Sequence, residues 1–129
     1  HPLVAEALNN LATLRLDLGS FAEAQALQLR ALAMFEASLG PEHPNVAIAL
    51  DNLANILHVL GAGDEADALA ERALAIRERA FGPVHPAVAD SLHNLAIGRL
   101  EAGARADART FAARALAIRE QVLPPGHPD

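Results

Sequence analysis

The sequence has no cysteine, lysine, tryptophan or tyrosine, and only four phenylalanines and one methionine in 129 residues. Without cysteine there are no disulfides and no thiolate metal sites, although that absence alone fixes no compartment. Without lysine, all ten basic residues are arginine, set against sixteen acidic ones, for a formal charge of −6. Sequence-independent binding of nucleic acid needs a basic face to neutralise phosphate, so this balance argues against it. Long apolar runs are missing too. The longest stretch free of Asp, Glu, Lys and Arg is Asn52 to Gly63, twelve residues, against the roughly 20 that a helix needs to cross a bilayer. No basic segment leads into an apolar core as in a targeting peptide. The chain opens on His1 rather than Met and reads as an excised piece.

What is present is alanine and leucine, together 51 of the 129 residues, within a hydrophobic share of 52%. Both are strong helix formers, and β-branched and aromatic residues are scarce, so the class is all-α. The apolar material suffices for one domain or one short repeat array.

His-Pro recurs at His1, His43, His85 and His127, an unbroken period of 42. Residues 1–42, 43–84 and 85–126 align without a gap and share sixteen identical positions, which makes three repeats, with 127–129 starting a truncated further one. Among the identities are Asn10, Asn52 and Asn94, each followed by Leu-Ala, then Gly19, Gly61 and Gly103, then Arg30, Arg72 and Arg114, each opening Arg-Ala-Leu-Ala. Each copy holds two helical stretches. The first runs from about Pro2 to Leu18, where Val4, Leu8, Leu11 and Ala12 recur at helical spacing, and Gly19 breaks it. In the second, Ala24, Leu27, Ala31 and Met34 make a narrow stripe that ends at Leu39-Gly40-Pro41. Pro2, Pro44 and Pro86 fall in the first helical turn, where a missing N–H costs nothing. Ser20 with Glu23 reads as a capping box, and Asp64 as a cap in the second copy, whereas Gly103-Ala104-Arg105 predicts the loosest helix start. A single helix pair cannot bury both stripes, so the pairs must stack into a solenoid. Ala5, Ala12, Ala24 and Ala31 and their counterparts predict close helix approach.

A period of 42 falls in the range of HEAT and armadillo repeats and above the 34 of the simplest tetratricopeptide repeat. The residues decide otherwise. Each copy reads V-A-x-x-L-x-N-L-A, then Gly, [E/D]-A, R-A-L-A-[MI]-x-E and [LF]-[GP]-P, and the following His-Pro opens the next period. This pattern resembles the long tetratricopeptide (TPR) repeats of the kinesin light chain type over the whole chain. The resemblance implies a right-handed α-solenoid of three TPR-like helix hairpins, first helices inside and second helices outside. The family's usual Tyr after N-L-A-x-L is Arg15, Leu57 and Arg99 here, and its aromatic after the central Gly survives only as Phe21, replaced by Gly63 and Arg105. Groove contacts that depend on those tyrosines therefore do not carry over.

In proteins of this resemblance the first helices line a concave groove, and the Asn of N-L-A binds the backbone of an extended peptide; Asn10, Asn52 and Asn94 match it. An amide carries donor and acceptor together, so it can pair with a peptide unit whatever the ligand's side chains are. The alternative is that these amides tie neighbouring helices together. Sharing the groove on this mapping are Glu6, Asn9, Thr13 and Asp17 in copy one, Ile48, Asp51, Asn55 and Val59 in copy two, and Asp90, His93, Ile97 and Glu101 in copy three. Five carboxylates and no Arg face it, with Arg15 and Arg99 within reach of the rim. That suits a neutral to basic ligand; the bland alternative is a solvated acidic face.

The histidines do not read as a metal site. His1, His43, His85 and His127 lie a full repeat apart, and ligands of one zinc all lie about 2 Å from the ion; an N-cap role beside the following Pro is the better fit. His58 and His93 are single helical residues with no partner at ligand spacing. No nucleophile arrangement, phosphate loop or cofactor motif is found, so no enzyme activity and no cofactor are expected. Arg30, Arg72 and Arg114 each precede a Glu by six residues, at Glu36, Glu78 and Glu120, which points to ion pairing between repeats. The expected role is a protein-interaction module, part of a larger multidomain protein in the cytoplasm, that binds a peptide or partner helix. The alternative is a structural spacer or self-association segment. End-to-end self-association is expected, because Phe111, Leu116 and Ile118 of the last second helix have no following helix to cover them.

Overall fold

The computed structural model describes residues 2–122, which form six α-helices: α1 (Pro2–Asp17), α2 (Phe21–Leu39), α3 (Pro44–Val59), α4 (Gly63–Phe81), α5 (Pro86–Glu101) and α6 (Arg105–Val122). There is no strand among the described residues. His1, His127 and the expected start of a further repeat at 127–129 lie outside them. Helices α1 and α2, α3 and α4, and α5 and α6 pack as antiparallel hairpins, and α2 on α3 and α4 on α5 join these into one stack. Along one side α1 also touches α3, and α3 touches α5, whereas the backbones of α2, α4 and α6 stand apart. The first helices are therefore crowded on the inner side of the curve and the second helices splayed on the outer side, as the sequence predicts.

Alanine sets the distance between paired helices. Ala5, Ala12, Ala24 and Ala31 are all wholly buried, and their counterparts Ala47, Ala54, Ala66, Ala73, Ala89, Ala96, Ala108 and Ala115 are at most 8% exposed. Phe35, Leu50, Ile76 and Leu95 share one buried cluster that joins all three hairpins, and Leu92 is buried within the α5–α6 hairpin. Of the three residues expected bare at the last helix, Leu116 is exposed and Phe111 half-buried. Ile118 departs from expectation: it is buried with Val88, Ala89, Leu92 and Ala115, because it faces α5 rather than the open end. The recurring ion pair does form between repeats, Arg72 to Glu36 at 2.8 Å and Arg114 to Glu78 at 2.9 Å. With these side chains over a third exposed, each pair contributes at most ~1 kcal/mol.

The hairpin turns are the same in all three copies. Gly19, Gly61 and Gly103 sit at φ of +82°, +85° and +84°. Each donates its N–H to the carbonyl three residues back, and the next residue reaches back five, Ser20 to Arg15, Ala62 to Leu57 and Ala104 to Arg99. This is the Schellman closure, which needs a left-handed residue at its centre. It also overrides the expected caps. Ser20 has ψ of 67°, away from the extended backbone of a capping residue, and its side chain makes no cap hydrogen bond. Asp64 lies inside α4, whose N-cap is Ala62, and α6 starts in the same register despite Ala104. At the other junctions His43 and His85 do cap, each Nδ1 accepting at 3.0 Å from the backbone N–H two residues on, with Pro44 and Pro86 in the first turn.

A direct comparison tests this account of the turns. Nothing lies within 4 Å of a Cβ built on Gly61, so Gly61→Ala should cost only the left-handed conformation, about 1–2 kcal/mol in urea unfolding. Ser20→Ala should cost less than ~0.5 kcal/mol, where loss of a working cap typically costs ~1. Equal losses at the two positions would show that the serine caps after all.

Candidate peptide-binding groove

Three recesses follow one another along the inner face of the stack. The first is lined by Glu6, Asn9, Asn10, Phe35, Asn45 and Ile48. The second is lined by Ile48, Asp51, Asn52, Asn55, Arg77, Asp90, His93 and Asn94, and the third by Asn55, His58, Val59, Asn94, Ile97 and Glu101. Of the groove residues read from the sequence, Thr13 and Asp17 line none of these. Thr13 is exposed and its hydroxyl bonds back to the Asn9 carbonyl at 3.1 Å.

The repeated asparagines are not equivalent. Asn52 donates to Asn9 Oδ1 at 3.1 Å across the α1–α3 seam, and Asn9 also accepts from the wholly buried Gln28. Asn52 thus does what the structural alternative foresaw. Asn10 is exposed and Asn94 half-buried, and neither side chain has a hydrogen-bond partner among the described residues.

The second seam is built differently. Position 28 is Ala70 one repeat on, and Phe35 becomes Arg77. Arg77 reaches inward from α4, donating to Asp51 and to Ser91 Oγ at 2.6 Å. The expectation of five carboxylates and no arginine facing the groove is therefore corrected. Asp51 is buried and paired with Arg77, and Asp90 lies 3.4 Å from Arg119. The two arginines expected at the rim turn to second helices instead, Arg15 to Glu23 and Arg99 to Asp67 and Glu71. Burial, with Asp51 Oδ1 left without a partner, raises the Asp51 carboxyl above the usual range; Arg77 pulls it back and Asp90 adds to the rise.

His58 has neighbours that its isolation in the sequence hides. Its Nε2 lies 3.6 Å from Asp67 and its Nδ1 3.6 Å from Glu101. A signal for this cluster is Gly98 in the middle of α5, where a Cβ would come within 2.9 Å of Asp67 Oδ1 and 3.0 Å of His58 Nε2. Glycine inside a helix costs up to about 1 kcal/mol relative to alanine, so its presence there calls for a packing reason. His93, in the register of Asn9 and Asp51, is exposed in the middle recess.

The direction of the Asp51 shift fixes a pH response. A carboxyl raised in the folded state binds its proton more tightly there, so its contribution to stability falls as pH rises from the usual carboxylate range through the raised value. Urea unfolding of the wild type and Asp51→Asn at a series of pH values should show their difference moving in favour of the wild type on acidification. A difference that is flat or moves the opposite way would contradict this assignment.

No helix among the described residues is long and apolar enough to cross a membrane. No curated protein sequence matches the chain. Among solved structures, it superposes on BtubC (BKLC) from P. vanneervenii with a TM-score of 0.89 and 28% identity, over 100% of this chain and 51% of that one. A Podosopora anserina protein assigned as a kinesin light chain, with nearly identical TPR-like repeats, gives 0.85 and 27%, over 99% and 60% respectively. The chain thus spans little more than half the length of these relatives. MamA, at 20% identity and 0.68, shares the fold. The sequence model of the tetratricopeptide repeat matches residues 3–62 and 48–121. On that match the chain belongs to the tetratricopeptide repeat family, with hairpins of the kinesin light chain type.

Proposed function

We propose that this chain binds an extended segment of a partner protein along the face of α1, α3 and α5, without catalysing a reaction on it. Tetratricopeptide repeats are in general protein-interaction modules, and the observation that carries the reading here is a pairing of unlike groups. The amides of Asn10 and Asn94 have no partner among the described residues, while Ile48, Val59 and Ile97 stand 44%, 54% and 44% exposed among them. Unpaired amides suit a ligand backbone, and exposed apolar side chains in a concave face suit its side chains. With first helices roughly 10 Å apart and a strand rising about 3.3 Å per residue, each repeat meets about every third ligand residue. On this proposal Asn10, Asn94, Asn55, His93 and Ile97 touch the ligand, Thr13 lies at the rim, and Asn9, Asn52 and Asp51 hold the wall. Glu6 and Glu101 at the ends, with the acidic balance of the chain, favour a neutral to basic segment over nucleic acid or an anionic membrane, and a cytoplasmic setting goes with it. The spacer alternative draws on the Gln28–Asn9–Asn52 bonds, in which a repeat asparagine ties neighbouring helices together.

Calorimetric titration with hits from a random peptide library separates the two. Asn10→Ala with Asn94→Ala should leave unfolding unchanged and weaken binding by about 1 kcal/mol per bond lost. Asn52→Ala should instead lower stability by a similar amount. Normal binding by the double variant, or no peptide hit at all, would leave the spacer in front.

A further inference from the structure

His58 stands inside an ionic cluster drawn from three helices. Asp67 of α4 lies 3.6 Å from its Nε2, and Glu101 of α5 lies 3.6 Å from its Nδ1. The Asp67 side chain is 12% exposed and already held by Arg99 of α5, which also pairs with Glu71 of α4. The Glu101 side chain is 61% exposed and has no second ion pair among the described residues. Among those residues α1, α2 and α3 itself pair no ionisable side chain with the ring. Three carboxylates thus meet one guanidinium, and the state of the ring decides how far Glu101 is neutralised. A neutral imidazole has one N–H and serves one carboxylate, whereas the protonated ring donates from both nitrogens and serves both. That change of charge falls between about pH 5 and pH 8 for an ordinary imidazole.

The cluster opens into the third recess, which His58 and Glu101 line together with Asn55, Val59, Asn94 and Ile97. A long basic side chain needs apolar surface for its methylene stem and an acceptor for its charged end. Val59 and Ile97 are exposed apolar walls, and Glu101 is an open carboxylate beside them. The first seam has nothing like it. There Leu16 and Val59 stand in the register of His58 and Glu101, and Ile56 in that of Gly98, whose missing Cβ gives the imidazole its room.

We propose, on the peptide-binding reading of this face, that the third recess receives a lysine or arginine side chain of the bound segment and that His58 makes its capture depend on pH. Neutral His58 leaves Glu101 to the cation of the ligand. Protonated His58 takes Glu101 for itself and sets a like charge beside the incoming one. Binding a basic residue there therefore releases a proton and weakens on acidification. His93, exposed in the middle recess, is a second imidazole on the same face, and its variant is the control.

The probes are library peptides that bind and carry lysine or arginine, each paired with a copy in which that residue is norleucine. Between about pH 8 and about pH 5.5, the affinity of the wild type for the basic peptide should fall about fivefold to tenfold. Its affinity for the norleucine copy should stay level. Glu101→Gln should bring the basic peptide down to the norleucine copy at the higher pH. His58→Gln should bind the basic peptide equally across the range, while His93→Gln still follows pH. Calorimetry of the wild type near pH 6.5, in two buffers of different ionisation enthalpy, should show protons released on binding, and His58→Gln should release none. The wild-type measurements stand whether or not the variants fold. Peptides that owe nothing to a basic residue, or a pH response that survives His58→Gln or vanishes with His93→Gln, would overturn this inference and leave peptide binding in place. No peptide hit at all would overturn both.

Discussion

Everything in this molecule depends on how closely the two helices of a hairpin approach, and that is set by four alanines per repeat. Ala5, Ala12, Ala24 and Ala31, with their eight counterparts, lie buried where the paired helices meet. A methyl group contributes little transfer free energy by itself. Its value is steric: short side chains let the helix backbones close to the near end of the usual range. The tight glycine turns serve the same geometry, because a three-residue connection with one left-handed residue holds the helix ends close together.

Between hairpins the constraint is looser, and the two seams solve one problem with different chemistry. Where Gln28 and Phe35 stand in the first, Ala70 and Arg77 stand in the second. The first seam is thus crossed by an amide bond, Asn52 to Asn9, which also accepts from Gln28, and the second by Arg77, which pairs with Asp51 inside its own hairpin and donates across to Ser91. An amide chain buries polar atoms at modest cost; a buried carboxylate must be paired, and Arg77 is long enough to pair Asp51 from the outer layer. This exchange decides which asparagine is free. Asn52 is drawn to Asn9, whereas its counterpart Asn94 makes no such bond to Asp51 among the described residues and lines the groove.

The fold was legible because its determinants are local and recur: period, glycine turns, His-Pro starts and alanine spacing each sit on one short segment. The lining of the groove was legible for the same reason, since helical spacing alone puts Asn10, Asn55 and Ile97 on one face. What the sequence concealed lies between helices. Arg77 reaches Asp51 over 26 residues and Arg99 reaches Asp67 over 32, and no pattern within a helix reports such pairs. Sequence reading therefore overcounted the acid in the groove. It also gave Ser20 a capping role, because S-x-x-E is a helix-start signature whose backbone geometry the preceding Schellman turn had already claimed. Gly98 was the visible trace of the His58 cluster, a helix-interior glycine whose missing Cβ makes the room.

The recesses of the groove lie at seams and not on single hairpins. The first takes residues from α1, α2 and α3, the second from α3, α4 and α5, and the third from α3 and α5. Their shape is therefore a function of the angle between hairpins, the softest coordinate of a solenoid in which each repeat touches only its neighbours. A segment lying across α1 to α5 touches both seams at once. Binding it favours one angle over the others and adds its free energy to the stability of the stack, as any ligand of the native state does. At this face the first seam is crossed by Asn52 on Asn9 and the second by Arg77 on Ser91, while the Asp51–Arg77 ion pair is held inside the α3–α4 hairpin.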